Sequence, residues 1–181
     1  MSILEMFGWS GDRKGQAPKA GSADTETVRK IAAALDRLDP GEARYIAAFA
    51  YILSRVARAD LQISEEELRT MEALVKDKGG LEEAQAVMVV QMAKTQSVLF
   101  GGVENFLVTR EFDKIATREQ KIALLHCLFA VSAADRSISS AEDTTIRTIA
   151  DELHLDHADF IAVKSAYGNL LATRPRTDGP A

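Results

Sequence analysis

Between Asp24 and Ala172 apolar side chains recur at three- and four-residue intervals, and no alternating stretch of useful length interrupts them. The pattern predicts an all-α chain with helices over 25–38, 40–59, 65–78, 81–97, 103–112, 118–134, 140–152 and 156–172. The predicted ends have chemical reasons. Asp39-Pro40 supplies an N-cap and a first-turn proline, and Ser64, Thr117 and Ser139 stand three residues before Glu67, Gln120 and Glu142, the spacing of a capping box. Gly79-Gly80 and Gly101-Gly102 end or separate helices.

Two runs, Tyr45 to Leu53 and Ile122 to Ala134, are apolar almost without break. Both fall short of the ~20 residues of a membrane span and are bounded by Arg and Asp, so they read as buried core helices and no integral membrane segment is expected. Outside the periodic region the character changes. Residues 11–23 are rich in Gly, Pro, Ser and charge, and the tail from Thr173 has no apolar content. The expected division is a flexible N-terminal segment over 1–23, one helical domain over 24–172 and a disordered tail over 173–181.

At 181 residues with 46% hydrophobic content, the chain can bury a core without disulfides. Its single cysteine, Cys127, lies inside the second apolar run and reads as a small buried hydrophobe, as expected in a reducing compartment. The first ten residues lack the basic start, long apolar run and cleavage site of a secretion signal, so the cytoplasm is the expected location. The net charge of -5, with basic residues scattered rather than striped, argues against a nucleic-acid partner and towards protein or cation partners.

Comparing the chain with itself is more informative. Ala59-Asp60-Leu61-Gln62-Ile63-Ser64-Glu65-Glu66-Glu67 returns 75 residues later as Ala134-Asp135-Arg136-Ser137-Ile138-Ser139-Ser140-Ala141-Glu142, so A-D-x-x-I-S-x-x-E occurs twice. An Ala-rich apolar helix precedes each copy, and an amphipathic helix with Met71/Ile146 and Leu74/Ile149 follows it. This is the mark of a duplicated helix-loop-helix unit.

Each copy admits two explanations. In the structural one, Asp60 and Asp135 form Asx-turns where a helix stops, Ser and Glu close a capping box on the next, and Ile63 and Ile138 plug the loops into the core. Glu alone decides little, because Asp39/Glu42 and Thr117/Gln120 repeat the capping spacing without the A-D-x-x-I prefix. The aspartates carry more weight, since a carboxylate at a helix C-terminus meets the negative end of the dipole and needs an Asx-turn, an arginine or a cation. In the second explanation the two loops meet. Asp60, Glu67, Asp135 and Glu142 then form a set of hard oxygen ligands for a divalent cation, Ca²⁺, Mg²⁺ or Mn²⁺. Arg136 and Arg58 offer the competing ion pairs, and neither loop is long enough to be an EF-hand.

The duplicated motif, with Leu155-Asp156 after the second copy's amphipathic helix, resembles the TerB-like family of tellurite-resistance proteins over roughly residues 25 to 170. The resemblance implies a single bundle of about seven to eight helices containing an internal helix-loop-helix duplication. It also implies a metal site at the acidic positions, here Asp60, Glu67, Asp135 and Glu142. The family's copies usually read A-D-G-x-[IV]-x-x-x-E, and this chain departs from that with Leu61 and Arg136 in place of glycine. Related domains precede the J-domain of membrane-anchored co-chaperones, but the chain has no His-Pro-Asp tripeptide.

Catalysis is not expected. Gly101-Gly102 lacks the lysine and spacing of a phosphate loop, and His126-Cys127, adjacent on a helix, point about 100° apart. His154 and His157, near Asp156 and Asp159, are weak candidates for a transition metal and read more simply as exposed residues at a helix start. At the N-terminus Leu4, Phe7 and Trp9, with Ile3 and Met6, form an apolar segment that could contact a protein partner or a bilayer as a peripheral element. The resulting expectation is a non-catalytic accessory or binding protein of a tellurite- or stress-response type with a divalent-cation site. The alternative is a metal-free protein-interaction module, able to associate with a membrane protein.

Overall fold

The computed structural model describes residues 30, 31, 33–56, 65–95 and 105–171, with the side chains of 65–67, 105, 106 and 135 outside that set. After helical backbone ending at residue 35, seven α-helices follow among the described residues. They are α1 (Pro40–Val56), α2 (Glu65–Gly79), α3 (Glu83–Lys94), α4 (Asn105–Ile115), α5 (Arg118–Ser132), α6 (Ser140–Glu152) and α7 (His157–Ser165). The chain belongs to the all-α class, as the periodicity predicts.

Helices α1 and α5 form the centre because they are apolar nearly all round. Every residue from Ile46 to Leu53 is buried, as are Leu124, Leu125, Cys127, Leu128 and Phe129. α1 packs against α3, α4, α5 and α6, while α5 packs against α2, α6 and α7, so each is wrapped on several sides. Aromatic rings lock this arrangement. Tyr45 stacks on Phe112 of α4 with centroids 5.2 Å apart, and Phe129 of α5 stacks on Tyr167 at 5.5 Å with Phe160 of α7 at 5.8 Å.

The helix ends follow the predicted chemistry. Asp39 Oδ1 accepts from the Gly41 N–H at 2.8 Å, and Thr117 and Gln120 exchange bonds of 2.8 and 3.2 Å across a capping box. At the close of α2, a Cβ on Gly79 would lie 2.9 Å from the buried Phe49 Cζ, and Gly80 takes φ +66°, a left-handed backbone that glycine adopts at least cost.

Some boundaries differ from the periodicity. The last predicted helix, 156–172, stops at Ser165 and gives way to a short 3₁₀ turn over Gly168–Leu170. The cause is tertiary: Tyr167 turns inward onto Phe129 and donates to the His126 carbonyl at 3.0 Å, and Leu171 pairs with Ile138 in an isolated parallel bridge. α6 ends in a Schellman motif with His154 in the left-handed region at φ 54°, its N–H bonding to Asp151 and that of Leu155 to Ala150, both at 3.1 Å.

One half-buried ion pair ties three helices. Arg55 in the last turn of α1 bonds Glu152 at the end of α6 at 2.5 and 3.3 Å, and donates to Thr109 of α4 at 2.7 Å. The two charged side chains are only 10% and 16% exposed. Removing one partner of such a pair leaves the other largely shielded from water and uncompensated. Glu152→Gln is therefore expected to lower unfolding free energy by about 3 kcal/mol, measured by urea denaturation. Replacing both partners by methionine should cost clearly less than Glu152→Gln alone.

Candidate functional site

The second acidic loop can be followed residue by residue. α5 stops at Ser132 and the chain tightens into a 3₁₀ turn over Ala133–Asp135. Arg136 then adopts the left-handed conformation, φ 68° and ψ 15°, and returns its N–H to the Ala133 carbonyl at 2.9 Å. This is the position where the resembling family usually has glycine, and the left-handed backbone supplies the reason. Ile138 is 1% exposed, plugging the loop into the core as expected, and its N–H bonds to the Leu170 carbonyl at 2.7 Å.

Ser139 caps α6. Its Oγ accepts from the Glu142 N–H at 3.2 Å, and Glu142 Oε2 accepts from both the N–H and the hydroxyl of Ser139, at 2.8 and 2.6 Å. Glu142 is thus a capping residue through Oε2, and the cap makes no use of Oε1. A carboxylate in this state keeps one hard oxygen, which suits the edge of a cation site and does not make one alone. Ser132, 5% exposed, holds an Oγ without a hydrogen-bond partner just before the loop.

The other members of the four-carboxylate set are placed only in part. Asp60 lies outside the described residues. Glu67 is on the first turn of α2 and Asp135 ends the 3₁₀ turn, but the side chains of both lie outside the described set. The meeting of the two loops therefore also lies outside it. Among the described residues no three His, Cys, Asp or Glu side chains are grouped to hold a metal ion. Leu4, Phe7 and Trp9, together with Gly101-Gly102, fall outside the described residues as well.

The remaining sequence candidates have ordinary environments. Burial pushes the Cys127 thiol up to about 12, which leaves it protonated and inert as a nucleophile. His126 is half-buried rather than buried, and burial followed by the nearby Lys78 charge holds its imidazole below the usual histidine range. His157 opens α7 behind the Asp156 cap, whose carboxylate accepts from the Asp159 N–H at 2.8 Å. His154 contacts Asp113 at 3.0 Å instead of sharing a ligand set with His157.

Sequence reasoning missed Asp113. It sits on α4 and gathers Lys121 of α5 at 2.7 Å and His154 beyond α6 at 3.0 Å. Burial works to raise its carboxyl, but the bonds and charges of Lys121 and His154 outweigh that and hold it below the usual aspartate range. No local spacing announces such a cluster, because its members come from α4, α5 and the turn after α6.

The family model of the tellurite resistance protein TerB matches residues 46–165, and the chain belongs to that family. The matched region contains both copies of the acidic motif. No curated protein and no solved structure matches the chain. Among the described residues no helix is long and apolar enough to cross a membrane.

Two outcomes follow, one from the loop and one from the Asp113 cluster. Arg136→Gly removes a left-handed penalty of about 1–2 kcal/mol against an added chain entropy of about 0.5–1 kcal/mol. A net gain of about 0.5–1 kcal/mol in thermal or urea unfolding is expected, and a loss would mean that the arginine side chain stabilises the turn. The lowered Asp113 pKa contributes stability that is present above the unfolded carboxylate pKa and lost as pH falls through the lower folded value. Asp113→Asn should accordingly be less stable than the native chain at neutral pH, with the gap closing on acidification in pH-dependent unfolding curves.

Proposed function

We propose that the chain is a non-catalytic accessory protein of a tellurite- or stress-response system in the cytoplasm, working by binding a divalent cation at its paired acidic loops. The observation carrying this reading is the family match over residues 46–165, which takes in Asp60, Glu67, Asp135 and Glu142 together. The Glu142 geometry supports it locally: Oε2 is spent on the Ser139 cap, which fixes the carboxylate and turns it into a pre-oriented ligand with Oε1 in reserve. Oxygen donors of this kind suit Ca²⁺, Mg²⁺ or Mn²⁺ rather than soft metals.

A second reading is favoured by the same residue. The Glu142 cap is complete without metal, and the exposed Arg136 follows Asp135 directly, so the loop is also a self-sufficient charged surface for a protein partner. In that reading Leu4, Phe7 and Trp9 supply an additional contact to a partner protein or a peripheral contact to a bilayer.

An amide NMR titration of chelator-treated protein with Ca²⁺, Mg²⁺, Mn²⁺ and Zn²⁺ separates the two. The cation reading expects shifts, or broadening by Mn²⁺, confined to residues around both loops and lost in Asp60→Asn/Asp135→Asn. It also expects a selective rise in melting temperature with the bound ion. Unchanged spectra at millimolar metal would leave the interaction module.

A further inference from the structure

The described residues stop at Leu171, beside the second acidic loop. Leu171 pairs with Ile138 in the isolated parallel bridge, and the Ile138 N–H bonds to the Leu170 carbonyl at 2.7 Å. Because the bridge is parallel, the chain past Leu171 sets out in the direction in which the loop runs from Ile138 to Ser139 and the first turn of α6. The two backbones start that course about 5 Å apart.

The segment that follows is basic. Residues 172–177 read Ala-Thr-Arg-Pro-Arg-Thr, with Arg174 and Arg176 three and five positions past the bridge and no acidic residue before Asp178. Pro175 fixes its own φ and biases Arg174 towards extended backbone, which favours a course along the loop over a return. At roughly 3.3 Å per extended residue, Arg174 lies within about 10 Å of Leu171 along the chain, and Glu142 is four positions past Ile138. The 75-residue offset of the repeat carries Arg174 onto Leu99 and Arg176 onto Gly101, so the first half has no matching basic pair.

The loop has one carboxylate to offer these arginines. Glu142 gives Oε2 to the Ser139 cap and leaves Oε1 out of it, and no ion pair among the described residues involves Glu142. Its neighbour Asp143 is already met by Lys164 of α7, whose Nζ lies 2.7 Å from each carboxylate oxygen. Arg136, the loop's own cation, precedes the bridge, whereas the basic segment leaves past it.

We propose that residues 172–177 lie along the start of α6 and place their arginines on the Glu142 carboxylate, as a tethered counter-ion over the second acidic loop. The consequence rests on the cation reading of that loop: a divalent ion has to displace a guanidinium to reach Oε1. The short tether holds the guanidinium at an effective concentration in the millimolar range, while an exposed ion pair of this kind is weak enough to be displaced. The segment therefore acts as a brake on the loop, raising the cation concentration at which it fills.

The test compares the full, metal-free chain with Arg174→Gln/Arg176→Gln by ¹⁵N NMR at low salt. Backbone heteronuclear NOE values for residues 173, 174 and 176 should stand close to that of Leu171 in the native chain and fall in the variant, with amide shifts at residues 139–142. A Ca²⁺ titration should then show about threefold or more tighter binding to the variant, the difference closing at high salt. Equal mobility of the segment in the two chains, or equal Ca²⁺ affinity, overturns the proposal. If the NOE contrast is present and neither chain binds a divalent ion, the contact stands and the cation reading of the loop fails.

Discussion

Helices α1 and α5 have too much apolar surface for one face. Laid against a single neighbour, either would still expose several large side chains, so each has to be surrounded, and the other helices are arranged to do that. Once both are enclosed, their ends become the places where the chain reaches water and where polar chemistry can collect. The acidic loops follow their C-termini, and an open groove lined by Arg44 and Glu119 among others lies at their N-termini. The half-buried Arg55–Glu152 pair is a consequence of the same enclosure: the last turn of α1 carries a charge into a largely covered region, and α6 brings the counter-charge to it.

Much of this was legible in the sequence. Strong periodicity and well-placed caps located α1 to α6 closely, since Asp39, Thr117 and Ser139 act through bonds within three residues of themselves. The burial of Ile138 and the capping role of Glu142 could be read for the same local reason. The end of α7 could not, because Tyr167 leaves the helix for a ring on α5, and Leu171 pairs with a loop some thirty residues earlier in the chain. Asp113 and Arg55 were invisible on similar grounds: their partners are set by how three helices cross, which no spacing along one helix encodes.

The candidate site divides along the same line. What is local to the second loop, namely the turn, the isoleucine plug and the cap, follows from nine consecutive residues. What would make it a shared cation site, the approach of Asp60 and Glu67 to Asp135 and Glu142, is a long-range property that the repeat suggests and does not encode. The groove at the opposite ends of α1 and α5 was not legible at all. Arg44 and Glu119 look like surface charges on two amphipathic starts until packing shows that they border one space.

Arg136 brings local strain and long-range charge together. The turn needs a left-handed residue to swing from the 3₁₀ segment into the isoleucine plug, and an arginine there carries a cost of about 1–2 kcal/mol that a glycine would not. The side chain is exposed, so packing in the core does not offset that cost. Arg136 follows directly on Asp135 in the chain, and a positive charge there opposes the attraction of a cation to the loop. A loop with glycine at this position would have an easier turn and a more negative surface. The arginine therefore gives the second loop a positive charge next to Asp135 in the chain, which the first loop, with Leu61 at the matching position, does not carry there.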